Sequence, residues 1–109
     1  MTEVTVDESR WTLLTNHGAA LIHVARHPDS TIREVADATG ISERAAARIL
    51  RDLRLGGYLV ATRIGRRNAY HINLDQELRH PVNQGWTLAD LLGGVVELDD
   101  VAVVPRQRA

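Results

Sequence analysis

A chain of 109 residues, 44% apolar and 25% charged, has the size and composition of one globular domain. It contains no cysteine, which excludes disulfides, thiolate metal sites and cysteine nucleophiles and suits a reducing cytoplasm; with no Phe, its core is expected to be aliphatic. The net charge of −1 argues against a uniformly basic nucleic-acid binder, residues 1–9 carry acids and no signal-peptide pattern, and no apolar run approaches the ~20 residues that span a bilayer.

Arg10 to His27 reads as a first helix, with Leu14, Leu21, Ile22 and Ala25 at helical spacing and Trp11 opening the same apolar face. Pro28-Asp29-Ser30 ends it. Thr31 and Glu34 have the spacing of a capping box, which predicts a short second helix with Ile32, Val35 and Ala36 inward and Gly40 closing it in a left-handed conformation. Ile41 then turns inward, and Ser42 caps a third helix running to about Leu55. Thr31 to Leu55 therefore spells helix, glycine turn, helix.

Gly56-Gly57 stops the third helix, and Tyr58–Arg63 and Ala69–Leu74 have strand composition. The polar segment from Ile64 through Gly65, Arg66 and Arg67 to Asn68 is expected to be the tip of a hairpin, a wing following the helix-turn-helix. Asp75 is positioned to cap one more turn through Leu78, and residues 86–92 read as a short capped helix ended by Gly93-Gly94. For Val95 to Val104 strand, coil and partner-ordered tail all stay open. The fold expectation is mainly α with a small β-hairpin (α+β). It comprises an acidic N-terminus at 1–9, a winged helix-turn-helix at 10–74, and a C-terminal extension at 75–109 for dimerisation with a partly disordered tail.

Charge is concentrated. Between Ser42 and Arg67 lie Arg44, Arg48, Arg51, Arg54, Arg63, Arg66 and Arg67 against Glu43 and Asp52, a local balance of +5. All 13 Lys/Arg positions are Arg, which suits bidentate phosphate and guanine contacts, although codon bias explains a rule that extends beyond the patch. At about 100° per residue, Ala46, Ile49, Leu50 and Leu53 fall on one side of the third helix and Arg44, Arg48 and Arg51 on the other. Ala47, between them, is small enough to let the helix approach a groove. A solvated basic face is the default for such a pattern, but within a helix-turn-helix it points to DNA. Ser42 and Thr31 have capping roles first and phosphate contact second. Arg66, Arg67 and Asn68 would reach the minor groove or its phosphates, Arg63 stands near the tip, and Asn68 also suits a turn.

The stretch from Thr31 to Leu74 resembles the winged helix-turn-helix of MarR-like and ArsR-like bacterial regulators. The signals are the capped helix at Thr31–Ala36, the Thr39-Gly40-Ile41-Ser42 turn, the Leu53…Gly57-Tyr58-Leu59 exit and the Gly65-Arg66-Arg67-Asn68 wing. Trp11–His17, Gly65–Tyr70 and Leu78–Pro81 are similar to short MarR-like regulators of actinobacterial type. The resemblance implies a transcriptional regulator that binds double-stranded DNA as a homodimer on an inverted repeat, with the third helix in the major groove. Cysteine-based metal sensing does not carry over, and no effector is assigned. The first helix and residues 86–104 would then form the dimer surface, with Trp11, Leu14, Trp86, Leu88, Leu91 and Leu92 as its apolar contacts.

His23 and His27 are spaced as a zinc pair could be, yet no further ligand can be assigned, so no metal or cofactor is expected. Ser, His and Asp occur without a nucleophile elbow, phosphate loop or paired acids, so no enzymatic role is expected. The alternative function is a winged helix that docks onto proteins instead of DNA. Unpaired arginines on the third helix and wing favour DNA; arginines neutralised by acids favour the alternative.

Overall fold

The computed structural model describes residues 11–104. The acidic stretch 1–9, the expected helix start at Arg10 and the end of the tail at 105–109 lie outside the described residues. Helix α1 spans Asn16–Arg26, α2 Ile32–Thr39 and α3 Glu43–Leu55; strands β1 (Leu59–Ile64) and β2 (Arg67–Ile72) form an antiparallel hairpin. A 3-10 turn at Pro81–Asn83, helix α4 (Leu88–Leu92) and a second 3-10 turn at Leu98–Asp100 follow. This is a winged helix, α+β as the sequence predicts. None of the helices among the described residues is long and apolar enough to cross a membrane.

Caps decide where the helices begin. Thr15, Thr31, Ser42 and Thr87 each accept a hydrogen bond from a backbone amide three residues on, satisfying a donor that the first turn leaves open. The Thr15 cap corrects the expected start of α1: the helix begins at Asn16, and Trp11, before the cap, is 71% exposed instead of opening the apolar face. The α2–α3 turn is as expected, with Gly40 at φ +72 and the Ile41 amide returning to the Ala36 carbonyl.

Ala20, Leu21, Val24 and Ala25 of α1 pack with Val35 and Ala36 of α2 and with Ala46, Ile49, Leu50 and Leu53 of α3. The alanines let these short helices approach closely. Leu59, Tyr70 and Ile72 supply the buried face of the hairpin, since side chains alternate along each strand.

The extension belongs to the same core. Leu88 and Leu92 are 1% and 0% exposed and Val101 is 7% exposed, so the protomer itself buries two of the leucines, Leu88 and Leu92, that the sequence assigns to a partner. The expected turn capped by Asp75 is also corrected. The chain bends at Leu74-Asp75, Glu77 pairs with Thr87, and the Leu74 and Gln76 carbonyls accept from Ala89 and Leu88. Helical bonding at 75–78 gives way to this pairing with α4. Residues 95–104, left open above, form the second 3-10 turn and then a short parallel pairing of Val103 with Ile72.

Candidate nucleic-acid interface

Helix α3 presents the two faces that its sequence predicts. Ala46, Ile49, Leu50 and Leu53 are buried, while Arg44, Arg48 and Arg51 are exposed. Ser42 Oγ accepts from the Ala45 amide at 3.0 Å, and its own hydroxyl proton points to no partner among the described residues. Ser42, Arg44 and Arg48 line one shallow depression at the helix N-terminus, where amide dipoles favour an anion. Ala47, half-buried, lies in the cleft between α3 and the hairpin.

That cleft gathers Arg51 and Arg63, from elements that the sequence could not place side by side, and adds Arg54 to them. Arg54 counted toward the charge of the patch but not among the predicted contacts, because the helical wheel sets it away from Arg44 and Arg48. Asn68 lines the same cleft, its Nδ2 donating to Tyr70 Oη at 3.2 Å.

Glycine makes the wing tip tighter than expected. Ile64 pairs directly with Arg67, so only Gly65 and Arg66 lie in the turn. Gly65 has φ +61 and no residue other than glycine has positive φ among the described residues, a combination that fits a two-residue turn with glycine first. Arg67 and Asn68, expected at the tip, are therefore strand residues. Arg66 stands at the apex.

The arginines differ in what they touch. Among the described residues, Arg44, Arg48, Arg51, Arg54 and Arg66 make no ion pair, and Arg63 Nε donates to the Gly65 carbonyl at 3.0 Å. Arg67 is engaged: its Nη1 donates to Glu34 Oε1 at 2.8 Å and to the Asp29 carbonyl at 2.9 Å. Glu34 also receives the Thr31 hydroxyl at 3.1 Å, while Thr31 Oγ1 accepts from the Glu34 amide. Both hydrogen-bonding functions of Thr31 are thus used inside the protein, unlike those of Ser42. The Thr31 hydroxyl does most to hold the Glu34 carboxyl below its ordinary range; burial opposes it, and the Arg67 guanidinium adds to the lowering. The acids of α3 are met from outside the helix, Asp52 by His17 at 2.8 Å and Glu43 by Arg33 at 4.0 Å.

The remaining candidates are placed as follows. The His23 and His27 rings lie with centroids 4.9 Å apart, tilted by 40° to one another. The buried Ser30 hydroxyl donates to the His27 carbonyl, so it accepts from His23 Nε2 at 3.1 Å. Burial, and then the neighbouring His27, lower the His23 pKa. Trp11, Leu14, Trp86 and Leu91 are exposed, whereas Leu88 and Leu92 have no free surface to offer a partner.

Residues 13–60, from just before α1 to the start of β1, match the profile of a winged helix-turn-helix DNA-binding family. No curated protein sequence matches the chain.

Proposed function

We propose that this winged helix-turn-helix protein is a transcriptional regulator of the MarR-like kind, binding duplex DNA sequence-specifically as a homodimer on an inverted repeat. The observation that carries the reading is the outward face of α3. Arg44, Arg48 and Arg51 stand there free of ion pairs among the described residues, with the capped N-terminus at Ser42 leading. Neutralising acids would be the mark of a protein-docking module, and this face has none paired to its arginines.

In this arrangement the N-terminal half of α3 enters the major groove, where an arginine pairs bidentately with guanine or clamps a phosphate. Ser42 donates its free hydroxyl to a phosphate, and Ala47 permits close approach. Arg51, Arg54 and Arg63 flank the cleft along which the backbone runs toward the wing, and Arg66 reaches the adjacent minor groove. Thr31 and Asn68 support the contact surface through their internal hydrogen bonds. Trp11, Leu14, Trp86 and Leu91 supply the dimer contact, supported by their exposure; two copies would place their recognition helices about 34 Å apart.

The test is duplex binding across a salt series for wild type, Arg48→Ala and Arg66→Ala. Each lost phosphate contact lowers the slope of log affinity against log salt by about 0.9. Wild-type binding with a steep slope that both variants reduce supports the reading. A folded protein that binds no duplex at low salt overturns it.

A further inference from the structure

Along its outer edge, the hairpin is held to the body of the protein by backbone bonds at the inner end of β2. The Ile72 amide donates to the Ala102 carbonyl at 2.7 Å and the Tyr70 amide to the Pro28 carbonyl at 2.8 Å. Between Tyr70 and the apex, β2 makes no further backbone bond to the body among the described residues. From Tyr70 to Arg67 that stretch spans roughly 10 Å at ~3.4 Å per residue. A two-stranded ribbon is only marginally ordered in water without something to pack against.

The contact that fills this gap is made by Arg67. Its two Nη1 hydrogens divide between the Asp29 carbonyl, in the loop before α2, and Glu34 Oε1, in the first turn of α2. Glu34 is itself fixed by the Thr31 hydroxyl, so the guanidinium meets a carboxylate whose position is already set. We propose that Arg67 and Glu34 are positioning residues, a strut that fixes the wing apex against α2 and so sets where Arg66 meets the nucleic-acid backbone, and that Arg67 is not itself a nucleic-acid contact. The ordering of the wing stands on the geometry alone; its consequence for binding rests on the DNA-binding reading above.

The two roles for Arg67 predict opposite effects at Glu34. If Arg67 contacts phosphate, Glu34→Ala removes a competing negative charge, frees the guanidinium and strengthens binding. If Arg67 is a strut, the same substitution releases the apex and weakens binding even though the protein becomes more positive. The pair is surface-exposed, with side chains 52% and 48% accessible, so neither alanine variant opens the core.

The experiment has two arms, both on the full chain. In the free protein, amide relaxation and hydrogen exchange at Gly65, Arg66 and Arg67 are compared among wild type, Glu34→Ala and Arg67→Ala. Both variants are expected to mobilise the apex while leaving α1 and α3 unchanged; an apex as ordered as in wild type overturns the strut. In the second arm, salt series on a mixed-sequence duplex compare Glu34→Ala, Arg67→Ala and Arg66→Ala. The expected result is weaker binding by Glu34→Ala, and a slope reduced by about 0.9 for Arg66→Ala but retained by Arg67→Ala. Stronger binding by Glu34→Ala, or an equal loss of slope in Arg67→Ala and Arg66→Ala, overturns the proposal. Absence of duplex binding by the wild type defeats the DNA-binding reading, and the first arm still decides the strut.

Discussion

The amide of Ile72 donates to the carbonyl of Ala102 at 2.7 Å, joining the inner end of the wing to a segment 30 positions further along the chain. The Val104 amide returns to the Ile72 carbonyl at 3.0 Å, so this part of the outer edge of β2 is closed by the extension. Val101, just before the junction, lies in the core.

Truncation after Glu97 removes these bonds and the buried Val101 side chain together. Burial of a Val contributes about 1.5–3 kcal/mol and each of the two net hydrogen bonds about 1 kcal/mol, so a loss of roughly 3.5–5 kcal/mol is expected. Urea denaturation of the truncated chain against the full one reads this loss, and an unchanged midpoint would show the closure to be idle.

Leu92 and Trp86 are expected to separate folding from assembly. Leu92 is fully buried in the protomer, so Leu92→Ala should destabilise by about 2–5 kcal/mol at any protein concentration. Trp86 is 61% exposed, so Trp86→Ser should leave the protomer folded and shift the concentration dependence measured by sedimentation equilibrium. Concentration-dependent loss in Leu92→Ala would place it at an interface after all.

Acid should weaken the fold in two stages. The His23 pKa is lowered in the folded state by burial and then by His27, so the associated stability is fully present above the ordinary value of 6.5. As pH falls below that value the unfolded chain takes up a proton that the folded one resists, and stability is lost until the folded pKa is passed. Glu34, held below its ordinary 4.5, adds a second loss when the unfolded carboxylate protonates first. Urea midpoints over this range read both stages. His23→Gln, which keeps a donor for Ser30 but cannot titrate there, should flatten the first stage alone.

Gly40 isolates a backbone cost. Its φ is +72 and a Cβ built on it meets nothing within 4 Å, so Gly40→Ala should cost about 1–2 kcal/mol from conformation alone. Gly40→Asn should cost less, because Asn tolerates this region. Thermal unfolding of the two variants provides the comparison, and equal stability of Ala and Gly at this position would contradict it.

What could be read from the chain alone is what neighbours within about four residues decide. Thr31, Ser42 and Thr87 start helices because their hydroxyls satisfy amides three residues on, and Gly40 ends one because its own φ is unrestricted. The division of α3 into a buried aliphatic face and an arginine face follows from helical geometry acting on its own residues. Periodicity through Trp11 and Leu14 places the start of α1 too early, while Thr15 supplies the cap that fixes it at Asn16.

The tertiary structure alone decided which surface each element meets. Burial is favourable for Leu88 and Leu92 on any apolar surface, and only the path of residues 73–87 puts that surface in their own protomer. Arg67 and Arg66 are adjacent and chemically identical, but a two-residue turn leaves Arg66 at the apex and sets Arg67 against Glu34, 33 positions away. Composition and spacing specify how strongly a side chain seeks an apolar or charged partner; distance in the folded chain determines which partner it finds.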